Sequence, residues 1–311
     1  MMNETSPIKE GALYIGIYLL LIMATLFVPV ISLFTMFLLP VPFIIFAAKH
    51  GLRPAIFLMT VSFAVLLIIA YPLAIIFTIT FASTGVVIGE LYRRKKTAFG
   101  VLLGGSLTFI AAIILNFIGS IVILDVHPIE SVQDVLYESV ETTESLLPML
   151  GQDDTFETAA GFIDGLTTVT PALFIILGIS YAFTVQWIAS FILRKRKVDV
   201  TRFPPLREWG FPKSFIWYYL IMYIFIYFVD MEEGSALYMA MYNLLPILEL
   251  IMVIQGLACI FFFFHVKKIH KAVPVAILFL GILFPPLLYL IRILGIIDLV
   301  FDLRKRMDTN R

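Results

Sequence analysis

Apolar residues run through this chain in blocks of about twenty, broken by short polar turns, and that pattern predicts helices spanning a membrane. The first block, 11–47, is too long for one span, and Pro29 with Ser32 offers a break, so helices are expected near 11–28 and 31–47. After the basic turn 49–53, further helices are expected near 54–71 and 72–92, meeting at Tyr71-Pro72. A fifth follows near 97–124, a sixth near 168–193, and two more near 213–229 and 235–266. The last block, 272–303, is long for one span and short for two. A break at Pro285-Pro286 makes it a short or re-entrant pair, giving about ten helices in an all-α polytopic bundle.

Charge orders these helices. Basic patches at 49–53, 93–96, 194–197 and 265–271 recur one helix pair apart, and acidic loops at 125–164 and 230–234 fall between them. Because Lys and Arg collect in cytoplasmic loops, both termini are expected on the cytoplasmic side. The hairpin reading of 272–303 keeps Arg304, Lys305 and Arg306 there as well. The segment 125–164 holds ten acidic residues and no Lys or Arg. Within it Val132, Leu136, Val140, Leu146, Leu147 and Leu150 recur at three- and four-residue steps, the spacing of short amphipathic helices. The N-terminal segment carries two acids against one Lys and no small-residue cleavage site follows it, so it is read as a retained first span. Two parts are expected: a six-helix half, 1–197, with an acidic extracytoplasmic loop at 125–167, and a linker with a four-helix half, 198–311.

Composition agrees: 61% of residues are hydrophobic and 14% charged, with mean hydropathy +1.01. An ordinary soluble domain carries about 25% charged residues, so lipid must be the solvent here. The single Cys259 lies in an apolar block and can form no disulfide within the chain. No metalloprotease, nucleophile-elbow, phosphate-loop or Cys-rich metal motif occurs, so neither an enzyme nor a cofactor is expected. No basic soluble domain exists to present a nucleic-acid surface. The basic turns are topology anchors and anionic-lipid contacts.

Polar residues within spans are the candidate chemistry. Glu249 lies near the middle of the eighth helix, with Asn243 and Pro246 at three-residue steps before it, and Arg292 is the one cation well inside a span. A mid-membrane charge is costly and takes a partner, so Glu249 and Arg292 are expected on one interior cavity, either as a solute site or as an ion pair locking two helices. Asn116 and Gln186 join them as candidates, or form helix–helix hydrogen bonds. Asp298 and Asp302, beside Arg304, read as a solvated charge cluster. Small residues four apart occur at Ala12/Gly16, Ala70/Ala74, Gly85/Gly89 and Gly100/Gly104, and serve either internal packing or docking of another membrane protein.

The stretch PxPFIIFAAKHGLRPA (40–55), the end GVVIGELYRRKK (85–96) and the glycine-rich fifth span make residues 11–194 similar to the S components of energy-coupling factor transporters. These are six-helix membrane proteins that bind a vitamin or metal ion from outside. With the acidic loop and GIIDLVFDLRKR (295–306), the whole chain resembles the bacterial YybS family of multi-pass membrane proteins. The S-component resemblance implies solute binding and transport in the bacterial plasma membrane, with Ala12 and Gly16 at the position that docks a coupling subunit or its ATPase. The extra half 213–303 departs from that pattern. Two functions follow as expectations: a solute-binding transport protein, with its cavity between the halves and loop 125–164 as a lid, or a scaffold organising partner membrane proteins.

Overall fold

The computed structural model describes residues 7–71, 73–146 and 153–309, and every regular element among them is helical. The N-terminal six residues, Pro72, Leu147 and Leu150 lie outside the described residues.

Helix α1 (Pro7–Phe27) ends where Val28 turns extended, and Pro29 opens α2 (Pro29–Leu38), so the expected break is present. With α3 (Val41–His50), α2 forms one apolar stretch of 22 residues kinked around Pro40. Gly51 then adopts φ +88°, open to glycine, with the Arg93 side chain packed over it. There follow α4 (Leu52–Ala70), α5 (Leu73–Phe77), a π-helical turn (Thr78–Ala82), α6 (Ser83–Arg93) and α7 (Ala98–Leu124). The acidic segment holds α8 (Pro128–Leu146) and the start of α9 (Asp153–Lys195). α8 packs on α9 through Gln133 Nε2, which donates to the Ile163 carbonyl at 2.8 Å, while Glu130, Asp134, Glu138 and Glu141 stay exposed. Then come α10 (Ser214–Phe228), α11 (Ala236–Val266), α12 (Ala272–Leu283), α13 (Pro285–Phe301) and α14 (Leu303–Thr309). Among the described residues seven stretches are long and apolar enough to cross a membrane, and α10, α12 and α13 are shorter at 15, 12 and 17 residues.

The chain forms two compact units: 1–163 with 173–203, and 164–172 with 204–311. In the first, α3 and α6 make the tightest pair. A Cβ on Gly85 would lie 2.5 Å from the Pro40 carbonyl oxygen, and one on Gly89 2.5 Å from that of Ile44. The expected docking face Gly85/Gly89 is therefore filled by the chain's own α3, because only glycine lets these backbones meet. Basic turns gather at one end of this unit. Lys49 and His50 pair with Glu10, Glu90 is held by Arg93 and Arg94, and Arg196 donates to Tyr14 Oη at 2.7 Å.

In the second unit α11 and α13 lie backbone to backbone. Glu249 meets Arg292 and Gln255 meets Asp298, at the same offset of 43 residues. A constant offset means that the helices run parallel, so both end on the same side. Gly256 and Gly295 sit at the crossing, where an added Cβ would come within 2.0 Å of the Ile291 or Met252 carbonyl oxygen. Helix α12 must run the other way, and its 12 residues rise only about 18 Å against a hydrocarbon core of ~30 Å. The α12–α13 pair is thus a short hairpin returning to the side it left. At its tip Pro285 and Pro286 lack N–H groups and Leu287 N–H donates to the Phe284 carbonyl at 2.9 Å, so few donors are left without partners in an apolar setting.

Candidate functional site

Five polar side chains were the expected site, and each of them is bonded to another part of the chain. Arg292 pairs with Glu249 Oε1, which also accepts from Tyr223 Oη at 2.9 Å, and the Arg292 guanidinium stacks 4.7 Å from the Tyr289 ring centre. The group ties α10, α11 and α13 together and leaves Arg292 15% and Glu249 32% exposed. Asn243 Oδ1 accepts from the Ala172 N–H, and its Nδ2 donates to the carbonyls of Thr168 and Met239, each at 2.7–2.8 Å. In the first unit, Gln186 Nε2 donates to the Ala98 carbonyl at 2.9 Å, and Asn116 Nδ2 to Thr80 Oγ1 at 2.7 Å.

The charge cluster at the end of α13 differs from its expected solvated state. Asp298 is buried, 3% exposed. Its Oδ2 accepts from Gln255 Nε2 at 2.6 Å and from Arg304 Nε at 2.9 Å. Arg304 Nη1 reaches on to the Trp209 carbonyl, and Gln255 Oε1 accepts from the Phe211 N–H at 3.1 Å. The proline-rich linker is therefore a strap clamped onto the helix ends, and the carboxylate is buried because Arg304 neutralises it there. Beside it, the Lys213 ammonium donates to Asp302 and holds that carboxyl below its ordinary value of 3.8.

A second feature had no counterpart in the sequence. The π-turn widens the fourth span, and Ser83 N–H bonds back to the Thr78 carbonyl. The carbonyls of Ile79 and Thr80 take the hydroxyl protons of Ser83 and Thr84. Against this turn lies a crevice of about 500 Å³, lined by Met59, Thr78, Ile79, Ser83, Thr108 and the α7 face Leu107–Leu115. Thr78, 7% exposed, lies beside Tyr18, whose hydroxyl donates to the Phe77 carbonyl at 3.1 Å and can accept from Thr78 Oγ1. Thr108 Oγ1 donates to the Gly104 carbonyl at 2.8 Å. Ser83 and Thr108 thus present lone pairs to the crevice, and Thr78 can donate or accept. No charged side chain lines it. Thr78 is 15 residues from Arg93, about 22 Å along a helix from the basic end. A π-turn is an irregularity of hydrogen-bond register within an unbroken apolar run, so composition carries no sign of it.

Comparison with known proteins gives one family and one relative. Residues 16–299 match the family described as "Predicted membrane protein (DUF2232)", across both units. The protein named "Uncharacterized protein YybS" of Bacillus subtilis (strain 168) is 29% identical over 310 residues, 98% of this chain and 100% of that protein. No solved structure matches the chain. Neither match shows the S-component likeness of residues 11–194. A chain whose apolar spans match such a family over residues 16–299 is an integral membrane protein, and it belongs to the DUF2232 family of YybS-like predicted membrane proteins.

Proposed function

We propose that the protein is a non-enzymatic solute-binding protein of the bacterial plasma membrane, of the S-component transport type, and that its solute sits in the crevice at the π-turn. The observation that carries this reading is a crevice of about 500 Å³ set against the π-turn and lined by the hydroxyl-bearing residues Thr78, Ser83 and Thr108. That volume lies within the usual 300–1,000 Å³ of small-molecule sites, and π-turns are frequent at functional positions. Lone pairs of Ser83 and Thr108 on apolar walls suit a neutral, largely apolar solute bringing its own hydrogen-bond donors. Charged solutes would lose hydration with no opposite charge to replace it. Asn116 supports the site indirectly, by tying α7 to Thr80 of the π-turn. In this reading the expected solute role of Glu249, Asn243, Arg292 and Gln186 gives way to that of structural locks.

The test is native mass spectrometry of the full-length detergent-purified protein, alongside Thr78→Val and Ala111→Phe. A small-molecule adduct on the wild type that is lost from both folded variants supports the reading. No adduct, or one that survives Ala111→Phe, overturns it.

A second reading, a scaffold for other membrane proteins, is favoured by the face of α1. Ala12 is exposed, a Cβ on Gly16 would meet nothing within 4 Å, and Ala12 lines an apolar groove of about 310 Å³ with Phe46, Phe57 and Leu58. A coupling subunit or ATPase co-purifying through this face fits transport, whereas other membrane proteins there fit the scaffold.

A further inference from the structure

The crevice at the π-turn opens sideways. Along α7 the residues Leu103, Leu107, Ala111 and Leu115 recur every four positions on one face, and all four are exposed. The exposed face of a spanning helix meets hydrocarbon. Leu107, Ala111 and Leu115 also line the crevice, together with Ser83 and Thr108. The small Ala111 therefore leaves a gap in a leucine stripe, and through that gap the two hydroxyl-bearing residues are reached from lipid.

Their depth is that of the bilayer centre. Ser83 lies ten residues before Arg93, and Thr108 ten after Ala98. Each is about 15 Å along its helix from the basic end, half of a hydrocarbon core of ~30 Å. Both hydroxyl protons are already given away, to the Ile79 and Gly104 carbonyls, so both oxygens act only as acceptors towards the crevice.

These facts select the occupant. A plain acyl chain fills the space and leaves the two acceptors unused. A charged head group finds no opposite charge on the walls. A hydroxyl dissolved in hydrocarbon has no partner there, and it gains one at Ser83 or Thr108. We propose that the crevice takes a neutral lipophile bearing a hydroxyl, of the long-chain alcohol class, which enters from the bilayer through the gap at Ala111. This rests on the solute-binding reading above, and it makes lipid, not water, the phase that delivers the solute.

The experiment is photo-crosslinking of the full-length protein in phosphatidylcholine liposomes, with a diazirine analogue of hexadecanol and with the methyl ether of the same analogue. The ether matches the alcohol in shape and lacks the donor. Labels are expected on the peptides that hold the π-turn and the middle of α7, the alcohol exceeding the ether about threefold, the worth of one hydrogen bond in a membrane. Ser83→Ala/Thr108→Val should bring the two probes to parity. Ala111→Phe closes the gap from an exposed position, where the fold has room for a larger side chain, and should remove both labels. Equal labelling of the wild type by alcohol and ether overturns the proposal and assigns the crevice to ordinary acyl chains. A preference that survives Ser83→Ala/Thr108→Val, labels that survive Ala111→Phe, or no label on these peptides also overturns it. Failure here is separable from failure of the site: an adduct in native mass spectrometry that Ala111→Phe removes, together with equal labelling by the two probes, keeps the solute site and discards only the alcohol.

Discussion

Asn243 accepts the Ala172 N–H at 2.8 Å and donates to the Thr168 carbonyl at 2.8 Å, so one side-chain amide from α11 serves the two backbone groups that a regular helix would pair with each other. Pro171 lies between them and supplies no N–H of its own. The amide holds α9 at its proline, and the segment 164–172 sorts with α11 rather than with the rest of α9. Asn243→Ala leaves both groups without this partner. We expect a loss of about 1–2 kcal/mol, above the ~0.6 kcal/mol mean for hydrogen bonds in membranes because two bonds go at once. Reversible unfolding in mixed detergent micelles reads it, and a change below ~0.3 kcal/mol would show that α9 keeps its shape without the amide.

Glycines divide sharply by their surroundings. Gly295→Ala places a methyl against the Met252 carbonyl and must push α11 and α13 apart, with an expected cost of at least about 1–3 kcal/mol. Gly16→Ala meets nothing and should be neutral, or gain up to ~1 kcal/mol from helix propensity. Thermal unfolding of the two single variants checks the contrast. Equal melting temperatures would contradict the close crossing.

Removing one member of the Glu249–Arg292 pair leaves the other partly buried and uncompensated. Full burial makes such a change worth about 3–5 kcal/mol. With Glu249 32% exposed, about 1–3 kcal/mol is the expectation for Glu249→Leu or Arg292→Leu alone. The double variant should recover most of the loss, as measured by a double-mutant cycle in unfolding. Strict additivity of the two losses would mean that the pair does not lock the helices.

Arg304 holds the strap through a fork of donors directed at Asp298 and the Trp209 carbonyl. Lysine keeps the charge and loses the fork. Arg304→Lys should therefore release the strap and speed tryptic cleavage after Arg207 several-fold, while Lys305→Gln leaves it unchanged. Limited proteolysis followed by mass spectrometry of the fragments decides this.

How much of the bundle was legible depends on the range of the forces involved. Apolar blocks marked the spans because each helix answers to lipid alone, and Pro29 and Pro285-Pro286 marked breaks because proline acts on its own backbone. Glu249 and Arg292 could be matched in advance because a mid-span cation has few possible partners. Asp298 was misjudged, since its closeness to Arg304 in sequence suggested water where the fold supplies Gln255 from 43 residues away.

The sequence by itself determined the spans, their breaks and the separation of basic from acidic ends, all of which follow from local hydropathy and charge. Only the tertiary structure decided that α11 and α13 run parallel through facing glycines, that Gly85 and Gly89 close on α3, that Asn243 is spent on Ala172 and Thr168, and that the fourth span opens into a crevice at Thr78. Each of these depends on which backbone comes within about 3 Å of which side chain, and on hydrogen-bond register within an apolar run, and neither leaves a trace in composition or period.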